Sequence, residues 1–138
     1  MREKEVWERV SRELTASREP LRQWCRESLE MEAWYREQAA AGGRERAALL
    51  RLADREAQNG GCLGGMLLSA GLTPPRRTSP GERRSLPDML ACSRRAGRNY
   101  AGLTPDPEFG TVFAAMARRQ TEQTEGLLHL MNRGFVAR

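Results

Sequence analysis

Two short motifs recur in this chain of 138 residues with the same internal spacing, and they hold most of its chemically versatile side chains. A serine is followed seven residues later by a tyrosine in Ser28–Tyr35 and again in Ser93–Tyr100. Farther along each half come Glu56-x-x-Asn59 and Gln120-x-x-Gln123. Hydroxyls, amides and one carboxylate are hydrogen-bonding groups before anything else. A classical serine or cysteine triad or a His-rich metal site needs imidazole, and the one histidine, His129, falls on the opposite side of its helix from Gln120. The three cysteines, Cys25, Cys62 and Cys92, form no C-x-x-C pair and are odd in number, which suits reduced thiols in a cytoplasm. Any catalysis would have to run on carboxylates, amides, hydroxyls or a bound cofactor.

Composition narrows the class further. Hydrophobic residues make up 39% and charged residues 30%, the balance of a globular domain rather than a disordered tail. No stretch approaches the roughly 18 consecutive apolar residues of a membrane span, so no membrane association is expected. The charged opening MREKEVWERV has no apolar middle of the signal-peptide kind, and the expected location is cytoplasmic. A secreted disulfide scaffold and a zinc ribbon are excluded on cysteine usage.

The net charge of +5 is unevenly spread. Residues 1–70 carry 12 basic and 12 acidic side chains, whereas residues 71–138 carry 11 and 6. Arg76, Arg77, Arg83 and Arg84 share one loop, and Arg94, Arg95 and Arg98 follow on the next helix. Such a basic stretch is one footprint of nucleic-acid binding. The absence of interleaved aromatics and of a nucleic-acid motif argues for a solvated arginine-rich surface instead.

Strand signals are scarce and helical periodicity is general. Val6, Val10 and Leu14, with Trp7 beside them, predict a short amphipathic helix at about residues 3–15. Four longer helices are expected: Pro20–Ala40 after a Ser17 cap, Arg44–Ala70, one from about Ser85 to Gly102, and one opened by Thr104-Pro105-Asp106-Pro107 and ending near Asn132. Asn59-Gly60-Gly61 offers a competing stop for the second helix, although Leu63, Met66 and Leu67 continue its apolar face. If that helix persists, Gly61 and Gly65 point outward, as a contact for a second copy or a seat for the 3–15 helix. The loop from Leu72 to Arg84, at up to ~3.3 Å per residue, is long enough to run the length of a bundle. The flanking connections look like tight reversals. The domain is therefore read as residues 1–138, with 1–16 as an extra N-terminal helix and 20–132 as a four-helix bundle.

At about 100° per residue, Ser28, Glu56, Ser93 and Gln120 each fall at the centre of their own helix's apolar stripe, with Asn59 and Gln123 one turn on. Polar groups buried in four facing helices must bond one another or a ligand. This pattern resembles the ferritin-like superfamily of rubrerythrin type, over roughly residues 20–132. That family carries Glu with Tyr seven residues later on helices one and three, and Glu-x-x-His on helices two and four, around a di-iron or di-manganese centre. The resemblance implies an all-α, up-down ferritin-like four-helix bundle with a long crossover between helices two and three. It also aligns Ser28, Ser93, Asn59, Gln120 and Gln123 with ligand positions at which only Glu56 keeps the expected residue.

Neutral amides and hydroxyls are poor ligands for iron or manganese, and one carboxylate cannot balance two divalent ions. The expectation is a catalytically silent core closed by hydrogen bonds, with Tyr35 and Tyr100 as core aromatics able to join it, in a non-enzymatic structural or interaction module that forms a homodimer. No cofactor or metal is expected. The alternative is a weak iron or manganese site on Glu56 and Glu32, used in oxidation of iron or removal of peroxide. Against it, Glu32 sits at the stripe's edge, where Arg36 is its i+4 partner. A basic, miniferritin-like nucleic-acid binder is the third reading.

Overall fold

The computed structural model describes residues 3–76, 79–81 and 84–138. It contains four helices, α1 (Glu3–Ala40), α2 (Arg46–Ser69), α3 (Leu86–Gly102) and α4 (Gly110–Asn132), and no strand among the described residues. The chain is thus an all-α four-helix bundle. Among the described residues no helix is long and apolar enough to cross a membrane.

Two boundaries differ from expectation. The helix expected at 3–15 is no separate element, because α1 continues through Ser17 and Pro20 without a break. Ser17 therefore lies inside the helix rather than capping one. Proline interrupts a helix through the bond its nitrogen cannot donate and the carbonyl it displaces. Here the turns after it are fixed by burial of Leu21 and Cys25 against α2. At ~1.5 Å per residue α1 is far longer than α2, so its first turns are no seat-filler folded back on Gly61. The side chains of Val6, Trp7, Val10 and Leu14, and the arginines Arg77 and Arg83 altogether, lie outside what the structure describes. The second difference is at α4, which starts at Gly110 and not at Thr104-Pro105. Asp106 Oδ1 accepts from the backbone N–H of Glu108 and Phe109 at 2.9 and 2.7 Å, holding a turn that precedes the helix.

α2 persists through Gly60, Gly61, Gly64 and Gly65 to Ser69. Four glycines in a helix interior cost roughly 1 kcal/mol each relative to alanine, so tertiary packing has to hold it. Leu63, Met66 and Leu67 are buried beyond the glycines. Gly60 lets α1 come close: a Cβ there would stand 3.5 Å from Ser28 Oγ. Gly61 and Gly65 face open space.

Helix directions follow from which residues meet. Arg36 on α1 reaches Asp54 on α2 while Cys25 reaches the carbonyl of Gly60, so α1 and α2 are antiparallel. Trp34 Nε1 donates to Arg84 O just before α3, and Trp24 meets Tyr100 near its end, so α1 and α3 are antiparallel too. α2 and α3 are consequently parallel, and their connection must travel the bundle. It does so along α1: Arg22 donates to Thr73 O, Gly81 lies against the Glu30 carboxylate, and Arg84 bonds Glu30 at 3.0 Å. Ser85 caps α3 with a reciprocal box to Asp88, whose carboxyl is thereby held below its ordinary value.

The core has two apolar layers. One contains Met31, Trp34, Leu49, Leu52, Met89, Leu127 and Leu130, the other Leu21, Leu63, Met66, Leu67, Phe113 and Met116. Between them lies a polar layer.

Candidate functional site: a polar layer across the bundle

Ser28, Glu56, Asn59, Ser93 and Gln123 are wholly buried, and Gln120 is 1% exposed. The structure brings all six into one level of the core, with α1 and α2 packed on each other, α3 on α4, and α2 on α4. Ser28 Oγ donates to Glu56 Oε1 at 2.9 Å and lies 3.0 Å from the Glu56 carbonyl. Gln123 Nε2 donates to Glu56 Oε2 at 3.0 Å and to Leu52 O at 2.7 Å. In the other half, Gln120 Nε2 donates to Ser93 Oγ at 3.1 Å, and Asn59 Nδ2 donates to Gln120 Oε1 at 2.9 Å and to Met116 O at 3.2 Å.

These bonds obey an internal two-fold. Each second-position amide, Asn59 or Gln123, reaches the carboxyl or carboxamide of the opposite half and a carbonyl one turn before it. Two arginines complete the pattern. Arg55, just before Glu56, donates to Gln123 Oε1 at 3.2 Å, and Arg119, just before Gln120, donates to Asn59 Oδ1 at 3.2 Å. Both reach in from the flank of their helix, so an inward-facing wheel position does not reveal them; their recurrence at the same offset in each half does. Thr124, one turn after Gln120, is also part of the layer, 3.1 Å from Ser93 Oγ.

Glu56 is the one residue whose charge is in question. Burial pushes its carboxyl up from the ordinary 4.5 to about 7, opposed by the hydrogen bonds from Gln123 and Ser28 and reinforced by the nearby Glu32. The donors facing it are neutral, and no guanidinium among the described residues bonds it directly.

The tyrosines behave as core residues. Tyr35 is fully buried, its ring edge-on to Trp34 at 5.5 Å, and its hydroxyl finds no hydrogen-bond partner among the described residues. It does not join the network, because its ring belongs to the apolar layer. Tyr100 packs edge-on against Trp24 at 5.9 Å. Burial and then the Glu56 charge push both phenols well above their ordinary range.

Glu32 is buried, with Oε2 accepting from Arg36 Nε at 2.8 Å in the seam between α1 and α2. Arg36 also reaches Asp54 at 3.3 Å. Cys25 is buried with its thiol pushed up by burial, and Cys62 and Cys92 are half-buried. His129 is exposed on α4. Among the described residues no group of three or more His, Cys, Asp or Glu side chains is placed to hold a metal ion.

The donor set does not fit the di-metal centre of the ferritin-like pattern. One carboxylate stands among amides and hydroxyls, and the amide nitrogens of Asn59, Gln120 and Gln123 are directed into the layer as donors. The chain matches no family model, and comparisons with curated proteins and with solved structures found no match either.

Proposed function

We propose that the chain is a non-enzymatic, ferritin-like bundle with a degenerate metal site, serving as a structural or interaction module in a reducing, cytoplasmic compartment. The observation that carries this reading is mutual satisfaction of the polar layer. Ser28, Glu56, Asn59, Ser93, Gln120 and Gln123 bond one another at the positions that the family pattern gives to metal ligands. The parallel α2 and α3 joined by a full-length crossover support the same relationship. Incubation of purified protein with ferrous or manganous ion, without oxygen, followed by desalting and elemental analysis is expected to return far less than one ion per chain. One or more ions per chain, lost in Glu56→Ala, would overturn the reading and restore redox chemistry on Glu56 and Glu32.

The module is proposed to form a homodimer through the outer face of α2. Gly61 and Gly65 face open space there, and Leu68 at the same end is 65% exposed. Small residues let a second helix approach closely, and an exposed leucine gains from being covered. Sedimentation should show a dimer for the wild type and a monomer for the Gly61→Glu/Gly65→Glu variant. A monomeric wild type at tens of micromolar removes this part of the reading.

A further inference from the structure

The internal two-fold makes the two halves directly comparable, and beyond the polar layer they differ in the seam beside it. Register Ser28 on Ser93 and Tyr35 on Tyr100, and Glu32 falls on Gly97 while Arg36 falls on Ala101. In the first half the buried Glu32 and the partly exposed Arg36 fill the seam between α1 and α2 with an ion pair. In the second half the seam between α3 and α4 has only the hydrogen of Gly97 and the methyl group of Ala101 at these places. What remains is a cleft of about 370 Å³. Its floor is Ser93, Gln120 and Thr124, and Gly97 lies in its α3 wall with the position of its absent Cβ 3.5 Å from Gln120 Cβ.

The floor is a connected set of two hydroxyls and one amide. Ser93 Oγ accepts from Gln120 Nε2, and the Ser93 and Thr124 hydroxyls share one 3.1 Å contact. The remaining acceptor for the second hydroxyl hydrogen is the Gln120 carbonyl, 3.5 Å from Ser93 Oγ, which is a long hydrogen bond. At the mouth stand Arg94 and Arg98, one turn apart and both exposed. Neither meets an acidic side chain among the described residues, whereas Arg36, Arg55, Arg84 and Arg133 are each paired with one. Glu125 contributes the one negative group of the lining.

We propose that this α3–α4 cleft binds the oxyanion group of a small molecule, a carboxylate or a phosphate, which takes the place that the Glu32 carboxylate fills in the first half. Arg94 and Arg98 supply the charge, as planar forks suited to either group, and the half-buried Thr124 supplies a hydroxyl donor above the fully buried Ser93 and Gln120. The inference is independent of whether the core ever held metal.

The test uses succinate and inorganic phosphate as probes, followed by amide NMR of the full chain. Saturable one-to-one shifts at Gly97, Thr124 and the Gln120 side-chain NH2, from either probe, are the expected result. Shifts from succinate alone identify a carboxylate site, and shifts from both identify a general oxyanion site. Arg94→Ala/Arg98→Ala, both at exposed positions, should weaken binding by about tenfold or more. Gly97→Glu, which copies the first half's carboxylate into the cleft, should abolish it. The idea fails if neither probe gives saturable shifts at millimolar concentrations. It fails equally if Gly97→Glu binds as well as the wild type, or if only duplex DNA binds, through the same arginines and with a steep salt dependence.

Discussion

Between pH 4.5 and about 7 the wild-type protein should lose about 3 kcal/mol of stability to unfolding as pH rises, and Glu56→Gln should abolish that slope. In the folded protein the carboxyl keeps its proton up to about pH 7, because burial disfavours the charged form. In the unfolded chain it gives the proton up near 4.5. The unfolded state therefore binds fewer protons across this window, and folding is opposed increasingly as pH climbs. Below 4.5 the contribution is fully present, and above about 7 the loss is complete. The groups that face Glu56 are Glu32 and Tyr35 on α1, Tyr100 on α3 and Gln123 on α4, with Arg55 held on the far oxygen of that amide. Asp88, held low by its capping box, acts in the opposite direction and at lower pH, so it does not mask the effect.

Gln fits at position 56 for a reason visible in the bonds. Ser28 Oγ is already 3.0 Å from the Glu56 carbonyl, so its proton can turn there and its oxygen can accept from a new side-chain NH2. The amide oxygen then meets the Gln123 donor as the second carboxylate oxygen did. Urea unfolding at pH 5 and pH 8 should show the two proteins close together at the lower pH and the variant more stable at the higher. A wild type with no loss between these values would mean that Glu56 stays charged, with a counter-ion or water in the layer.

Gln120→Ala should cost about 3 kcal/mol, the larger share from partners left behind. Gln120 is the hub of the second half, accepting from Asn59 and donating to Ser93 through one fully buried amide. Gln120→Leu refills most of the volume yet strands the same partners, so about 2 kcal/mol of the loss should remain. A double-mutant cycle with Asn59→Ala isolates their bond, with an expected coupling of about 1 kcal/mol. If Gln120→Leu proves neutral in urea unfolding, the layer is held together by packing and not by hydrogen bonds.

The charge asymmetry of the chain takes on a local meaning in the structure. Arg84, Arg36, Arg55 and Arg133 are tied to acids on neighbouring elements and serve the fold. Arg94 and Arg98, in the same basic stretch of sequence as Arg84, meet no acidic side chain among the described residues. Sequence composition sums over both kinds, whereas ligand recognition depends only on the second.

What the amino-acid order alone determined is the all-helical class and the inward faces of the four bundle helices. Apolar residues recurring every three to four positions can be buried only along one side of a helix, and Ser28, Glu56, Ser93 and Gln120 sit on that side whatever the bundle's handedness. The repeat at offsets of 65 residues in one motif and 64 in the other is equally a property of the letters. Three matters were left to tertiary structure. Whether α2 survives Gly60-Gly61 depended on burial of Leu63, Met66 and Leu67, energy that appears only when a partner helix is present. That Tyr35 stays out of the network while Arg55, Arg119 and Thr124 enter it was decided by side-chain reach across helices, which no single-helix projection contains. And the substitution of Gly97 for the equivalent of Glu32 became a cleft only once α3 and α4 were packed, because a missing side chain has a shape only when its neighbours are in place.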